Sequence, residues 1–193
     1  MAYKRDPNSI IYTSSYDRGL EHLLKMWPDI RREVPQAKLQ VFYGWQLFER
    51  FHKDNPASMM WMKDMQKKLT QEGIIDHGRL SQRDLVKEYQ KCSIFAYPTH
   101  FGEINCISAI KAQLYGCEPV VVNYAALKET VKYGRKVDGD IYDEETQDKY
   151  KEQLIDALKN PMNDQKREEM MAWAKDNYGW DKIATSWSKE FRG

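Results

Sequence analysis

The chain has 193 residues, 41% of them apolar, and its 30 basic and 29 acidic residues leave a net charge of +1. That length supports one sizeable core, and the balanced charge gives no electrostatic case for nucleic acid or an anionic membrane as a partner. No apolar run approaches the ~20 residues of a membrane span, and the opening MAYKRDPN has no signal-peptide core, so a cytoplasmic location is expected.

Ser9 to Thr13 is predicted to be a strand, and Ser14, Ser15, Tyr16 and Asp17 supply turn and capping chemistry. Leu20, Leu23, Leu24, Trp27 and Ile30 then recur at helical spacing as far as Glu33, and Pro35 stops that helix. Ala37 to Tyr43 is a second strand ending at Gly44, where Tyr43 and Trp45 are candidates to line a cleft. Trp45 to Glu72 is an amphipathic helical insert, broken near Asn55-Pro56, whose methionines read as packing. Gly73 to His77 is a short third strand, Gly78 to Ser81 a turn, and Gln82 to Lys91 a helix capped by Ser81.

The central stretch follows. Ser93 to Tyr97 is a buried strand, Pro98 to Gly102 a break, Ile104 to Tyr115 a helix opened by Glu103, Gly116 its C-cap, and Pro119 to Val122 a second buried strand. A short helix is predicted over Tyr124 to Tyr133, an edge strand within Gly134 to Tyr142, and helices over Glu144 to Lys159, Asp164 to Asn177 and Lys182 to Phe191. Strands alternating with helices predict an α/β doubly wound parallel sheet of five or six strands, with a helical insert and C-terminal helices. Ligands in such sheets bind beyond the carboxyl ends of the strands, and a new helix start there adds an anion site. Cys92, Cys106 and Cys117 form no CxxC or His/Cys cluster, which points to a reducing compartment and no structural zinc, and Cys92 and Cys117, flanking buried strands, read as core thiols.

The central stretch resembles the nucleotide-sugar motif of the glycosyl transferases group 1 family, which has the GT-B fold. Tyr97-Pro98-Thr99, Glu103, Ala112, Gly116 and Pro119-Val120 match its pattern, and the order of elements agrees over roughly residues 9 to 190. The family's second glutamate falls on Lys111, and Gly116 and Pro119 stand one residue further apart than usual. The resemblance implies a Rossmann-like sheet forming one half of a GT-B enzyme, with this chain as a single donor-binding domain. It also implies a nucleoside-diphosphate sugar as ligand (UDP- or GDP-linked), transfer with retention, no metal, no further cofactor, and a last helix packing back toward an acceptor-binding domain in the same or another chain.

The site residues follow from the same resemblance. Arg18, before Gly19, would bind the donor diphosphate, for which a planar guanidinium is suited. Ser15 and Ser14 would add hydrogen bonds, and Gly19 would let the backbone come close. Glu103 would orient the sugar, while the amides of Ile104, Asn105 and Cys106 would hold sugar or phosphate oxygens. Arg79 would lie near the base or diphosphate. Lys111, on the apolar arc of its helix among Ile104, Ile107, Ile110 and Leu114, is expected to line the site with Glu103 or a phosphate as partner. Glu129 matches a family glutamate weakly, and His77 and His100 read as structural. A Ser-His-Asp order, P-loop, HExxH, Asp-x-Asp pair and GxGxxG are all missing, which counts against a nicotinamide dehydrogenase. The alternatives left open are a non-catalytic nucleotide-sugar-binding module, a sugar-nucleotide epimerase and a protein-interaction domain of the same fold.

Overall fold

The computed structural model describes residues 4–191. Among them six strands form one parallel sheet: β1 (Asp6–Tyr12), β2 (Lys38–Val41), β3 (Ile74–Asp76), β4 (Cys92–Tyr97), β5 (Glu118–Val122) and β6 (Arg135–Val137). Their order is β3-β2-β1-β4-β5-β6. Interleaved with them are α1 (Leu20–Glu33), α2 (Gln46–His52), α3 (Pro56–Lys68), α4 (Gln82–Lys91), α5 (Ile107–Leu114), α6 (Leu127–Thr130), α7 (Glu144–Lys159), α8 (Asp164–Tyr178) and α9 (Trp180–Glu190). This is the expected doubly wound, Rossmann-like α/β architecture. Every residue of β4 and β5 is buried, as strands covered on both faces require, whereas edge strand β3 is largely open. The chain runs outward in opposite directions from the adjacent β1 and β4, so the loops after these two strands part and leave a cleft. None of the described helices is long and apolar enough to cross a membrane.

Local chemistry accounts for the boundaries. The apolar stripe of α1, from Leu20 through Trp27 to Ile30, is fully buried against the sheet. Pro28 lies inside that helix and has no N–H for the Leu24 carbonyl; Gln71 Nε2 donates to that carbonyl instead, at 3.1 Å. The insert divides into α2 and α3 where Asn55 caps the Ser58 amide at 3.1 Å and Pro56 takes the first helical position. Ser81 caps α4 through the Asp84 amide at 3.1 Å.

The helix read from Ile104 begins instead at Ile107. The Phe101 amide donates to Thr99 Oγ1 (3.0 Å) and the Glu103 amide to the Phe101 carbonyl (2.9 Å), while the Glu103 carbonyl accepts from the Ala126 amide (3.1 Å). These bonds hold the segment as a loop and leave Ile104 96% exposed. At its other end α5 closes as expected: Gly116 adopts φ 82°, and Cys117 and Gly116 donate to the Ala112 and Gln113 carbonyls in the two bonds of a Schellman motif. α6 covers only four residues of the expected Tyr124–Tyr133 helix, and α9 begins at Trp180 rather than Lys182. All three cysteines are buried and free, and burial pushes the Cys92 thiol up to about 11 and Cys106 to about 12.

α1 also buries His22, whose two ring nitrogens have no hydrogen-bond partner among the described residues. Its ring meets Tyr142 and His100 edge-on, with centroids 5.1 and 6.0 Å away. Burial holds its pKa below the ordinary imidazole value; Glu21 and Asp140 oppose that shift, and Lys25 and His100 reinforce it. The unfolded chain therefore takes up this proton near pH 6.5 and the folded chain only lower, so His22 contributes stability above that pH which is lost as pH falls. Urea midpoints at pH 7.5 and 5.5 should fall further for the wild type than for His22→Phe; parallel shifts would remove His22 from the account.

Candidate functional site

Two adjoining cavities open at the C-terminal edge of the sheet beside β1 and β4. The inner one, about 280 Å³, is walled by Ser14, Ser15, Arg18, Glu103, Asn105 and Cys106. The outer one, about 370 Å³, is walled by Phe42, Arg79, Leu80, Gln82, Leu85 and Lys111. Thr13, Tyr43, Ile107 and Ser108 line both, so the two form one cleft.

Two loops build the inner end. After β1, Tyr12 Oη donates to the Ser15 carbonyl (2.8 Å) and the Arg18 amide does the same (3.0 Å), which turns the chain tightly. Gly19 then adopts φ 108°, and a Cβ built there would overlap the Pro98 carbonyl oxygen of the loop after β4. Only glycine permits both that φ and that approach. The contact presents Arg18 to the second loop: Nη1 lies 3.5 Å from Glu103 Oε1, and Cζ sits 3.8 Å from the centre of the Phe101 ring. The same Glu103 oxygen accepts from Tyr97 Oη at 2.7 Å. Burial pushes the Tyr97 pKa well above its usual value, and the Glu103 carboxylate adds to that, so Tyr97 remains a donor. Ser14 Oγ lies 3.1 Å from the same phenol oxygen, completing a chain Ser14–Tyr97–Glu103. Glu103 is thus fixed in place, with 12% of its side chain exposed toward the cleft.

The start of α5, and with it the free amides of its first turn, falls further along than expected. Because α5 starts at Ile107, helical geometry leaves the Ser108 and Ala109 amides without intrahelical acceptors, and Cys106 makes no side-chain cap. Asn105 and Cys106 wall the inner cavity, whereas Ile104 is exposed and does not line it. Lys111 lies on the outer wall, where its neighbour Ile107 faces the cleft and is 61% exposed. The expected Glu103 partnership is replaced: Lys111 Nζ donates to Gln82 Oε1. Arg79 also lies on the outer wall, whereas His77 stacks on Phe42 and bonds Gln40 at 2.7 Å. His100 lines a separate cavity of about 350 Å³ with Tyr124, Asp140 and Tyr142. Glu129 is exposed and lines neither half of the cleft.

Sequence reasoning missed the two tyrosines that organise this cleft. In the sequence Tyr97 reads as a strand end and as part of the Tyr97-Pro98-Thr99 pattern, with no partner assigned to its hydroxyl. Tyr16, read only as turn chemistry, is buried and donates to Asp76 Oδ1 at 2.6 Å while accepting from the Gly44 amide at 3.1 Å. It ties the loops after β1, β2 and β3 together. The signal available was the apolar setting of each phenol, which obliges a buried hydroxyl to find a partner. Among the described residues no group of three or more His, Cys, Asp or Glu side chains is placed to hold a metal ion.

A doubly wound parallel sheet with its cleft between β1 and β4 is the nucleotide-binding type of α/β domain. The sequence matches the family of glycosyl transferases group 1 over residues 3–177, and the chain belongs to that family. Its fold is similar to GT-B glycosyltransferase structures. The pneumococcal O-GlcNAc transferase GtfA, crystallised with UDP and GlcNAc, superposes with TM-score 0.74 at 13% identity, over 97% of this chain and 36% of that one. Anabaena HepE, in complex with UDP and glucose, gives 0.72 at 14% identity, over 96% and 48%. Sucrose-phosphate synthase from Thermosynechococcus elongatus gives 0.73 at 18% identity, over 100% and 46%. The chain spans less than half the length of each of these three. No curated protein matches its sequence.

Gly19→Ala should place a Cβ against the Pro98 carbonyl at a left-handed φ, costing more than about 2 kcal/mol in thermal or urea unfolding. An unchanged unfolding midpoint would contradict the close approach of the two loops.

Proposed function

We propose that this chain is the donor-binding domain of a glycosyltransferase. It takes a nucleoside-diphosphate sugar, UDP- or GDP-linked, and offers it to an acceptor held by another domain in the same or another chain. The observation that carries this reading is the Arg18–Glu103 pair, set in a cleft at the sheet's switch point beside the first turn of α5. The aromatic and aliphatic outer wall of Phe42, Leu80 and Leu85 suits a nucleobase, and in this reading the diphosphate lies at the shared wall and the sugar at Glu103. The complexes of GtfA with UDP and GlcNAc and of HepE with UDP and glucose support the same ligand class.

In the reaction so envisaged, the bond from the sugar's anomeric carbon to the diphosphate breaks and the diphosphate leaves with the electron pair. An acceptor hydroxyl oxygen bonds to the same carbon and its proton passes to the departing diphosphate; the family pattern supports retention without a metal. The Arg18 guanidinium and the α5 amides are preorganised donors for the charge that develops on the diphosphate. At 3.5 Å the Arg18–Glu103 contact is long, so a bidentate phosphate competes well for the guanidinium. Glu103, still held by Tyr97, is then free to accept hydrogen bonds from sugar hydroxyls and to orient them. α9 and its C-cap carry Trp180, Trp187 and Phe191, which are 82, 63 and 82% exposed and suit coverage by a second domain.

Calorimetric titration with UDP, GDP, ADP and their sugars should find one binding nucleotide. Arg18→Ala should weaken it by about 1–3 kcal/mol, the worth of a charge-assisted hydrogen bond, with unfolding changed by less than about 0.5 kcal/mol. An unchanged dissociation constant would return Arg18 to the solvated surface. The 193-residue chain alone should transfer sugar poorly until an acceptor domain is supplied; robust transfer without one would overturn that half of the proposal.

A further inference from the structure

We infer that the outer half of the cleft is an anion subsite, in which Arg79 and Lys111 recognise a phosphate on the ribose in addition to the 5′-diphosphate. This deepens, and rests on, the donor reading above.

Arg79 and Lys111 are the charged residues of the outer wall, and no carboxylate shares it. Among the described residues neither cation has a carboxylate partner: Lys111 donates to the neutral Gln82, and Arg79 makes no hydrogen bond or ion pair. The lysines elsewhere on α4 are neutralised, Lys87 by Asp84 and Lys91 by Glu88. Positive charge is therefore left uncompensated on the side that faces the cleft.

The hydrogen-bonding inventory points the same way. A free ribose diol presents two O–H donors and is best met by an acceptor such as a carboxylate. Here the wall offers donors: an ammonium with three and a guanidinium with five. Of the nearby acceptors, Gln82 Oε1 receives Lys111 Nζ and the Thr13 and Tyr89 hydroxyls bond each other at 2.5 Å, which leaves the Tyr43 and Ser108 hydroxyls and no carboxylate. Placement fits as well. Lys111 stands one helical turn beyond Ser108, which lies on the wall shared with the inner cavity, so it flanks the span between a diphosphate at Arg18 and a base against Phe42. Burial holds the Lys111 pKa below the ordinary lysine value, and a phosphate bound beside it would relieve that cost. A wall rich in donors and poor in acceptors thus suits a ribose that carries a phosphate, not a bare diol.

The test is calorimetric titration of the intact chain with UDP, GDP and ADP, with the 2′- and 3′-phosphorylated counterpart of each, and with inorganic pyrophosphate. One phosphorylated nucleotide should bind at least tenfold tighter than its parent, and pyrophosphate more weakly than either. Arg79→Gln should erase most of that gain, and Lys111→Glu should reverse the ranking, with the parent then the tighter ligand. Both side chains are partly or fully exposed, and circular dichroism verifies folding. If the parents bind and their phosphorylated counterparts bind no tighter, the subsite is refuted while the donor reading stands. If pyrophosphate matches the phosphorylated nucleotides, the cleft holds phosphate alone and the ribose subsite is refuted. If no nucleotide of either kind binds, the donor reading fails and the subsite with it.

Discussion

The cleft depends on one steric constraint: the backbone of Gly19 lies against the Pro98 carbonyl, at a φ of 108° that a side chain would not tolerate. That contact joins the loops after the two central strands, which leave the sheet in opposite directions. A guanidinium from one loop then reaches a carboxylate from the other, 85 residues apart in sequence. The rest is support. Tyr12 fixes the turn before Arg18, Tyr97 fixes Glu103, and Tyr16 with Asp76 brings the loops after β2 and β3 alongside. Each phenol is buried deeply enough that losing its partner would cost about 1–3 kcal/mol, so these bonds also determine where the loops settle.

The electrostatics of the two halves differ in a way that matters for chemistry. In the inner half, one cation and one carboxylate face each other at 3.5 Å, and in the proposed donor complex a phosphate would take the cation and separate them. Arg18 is further steadied by the face of Phe101, which holds the guanidinium without consuming its donors. The outer half has cations and no carboxylate on its wall. A ligand that spans both halves meets a switchable ion pair at one end and fixed positive charge at the other.

Much of the fold was legible because its signals are local. The caps at Asn55 and Ser81, the apolar stripe of α1 and the glycine after α5 act within a few residues, and the elements they delimit appear where periodicity placed them. The start of α5 was misread because it is decided at a distance. Apolar spacing pointed to Ile104, but Thr99 and Ala126 take the backbone groups that a helix would need, and Ile104 turns to solvent. The same shift moves the free amides from 104–106 to the turn around Ser108. At Lys111 the apolar arc was real, but part of it faces a cavity and not the core. The partnerships of Tyr16 with Asp76 and Lys111 with Gln82 cross 60 and 29 residues, and no spacing rule connects them.

The central claim is that a nucleoside diphosphate sits between the Arg18 turn and the first turn of α5. The most direct measurement is a titration of the isotopically labelled chain with UDP and GDP, followed by amide chemical shifts. The account predicts that the largest shifts fall together at Ser15, Gly19, Ser108 and Ala109 and saturate with one dissociation constant. Saturable shifts confined to α7, α8 or α9, or no saturable shifts with either nucleotide, would contradict it.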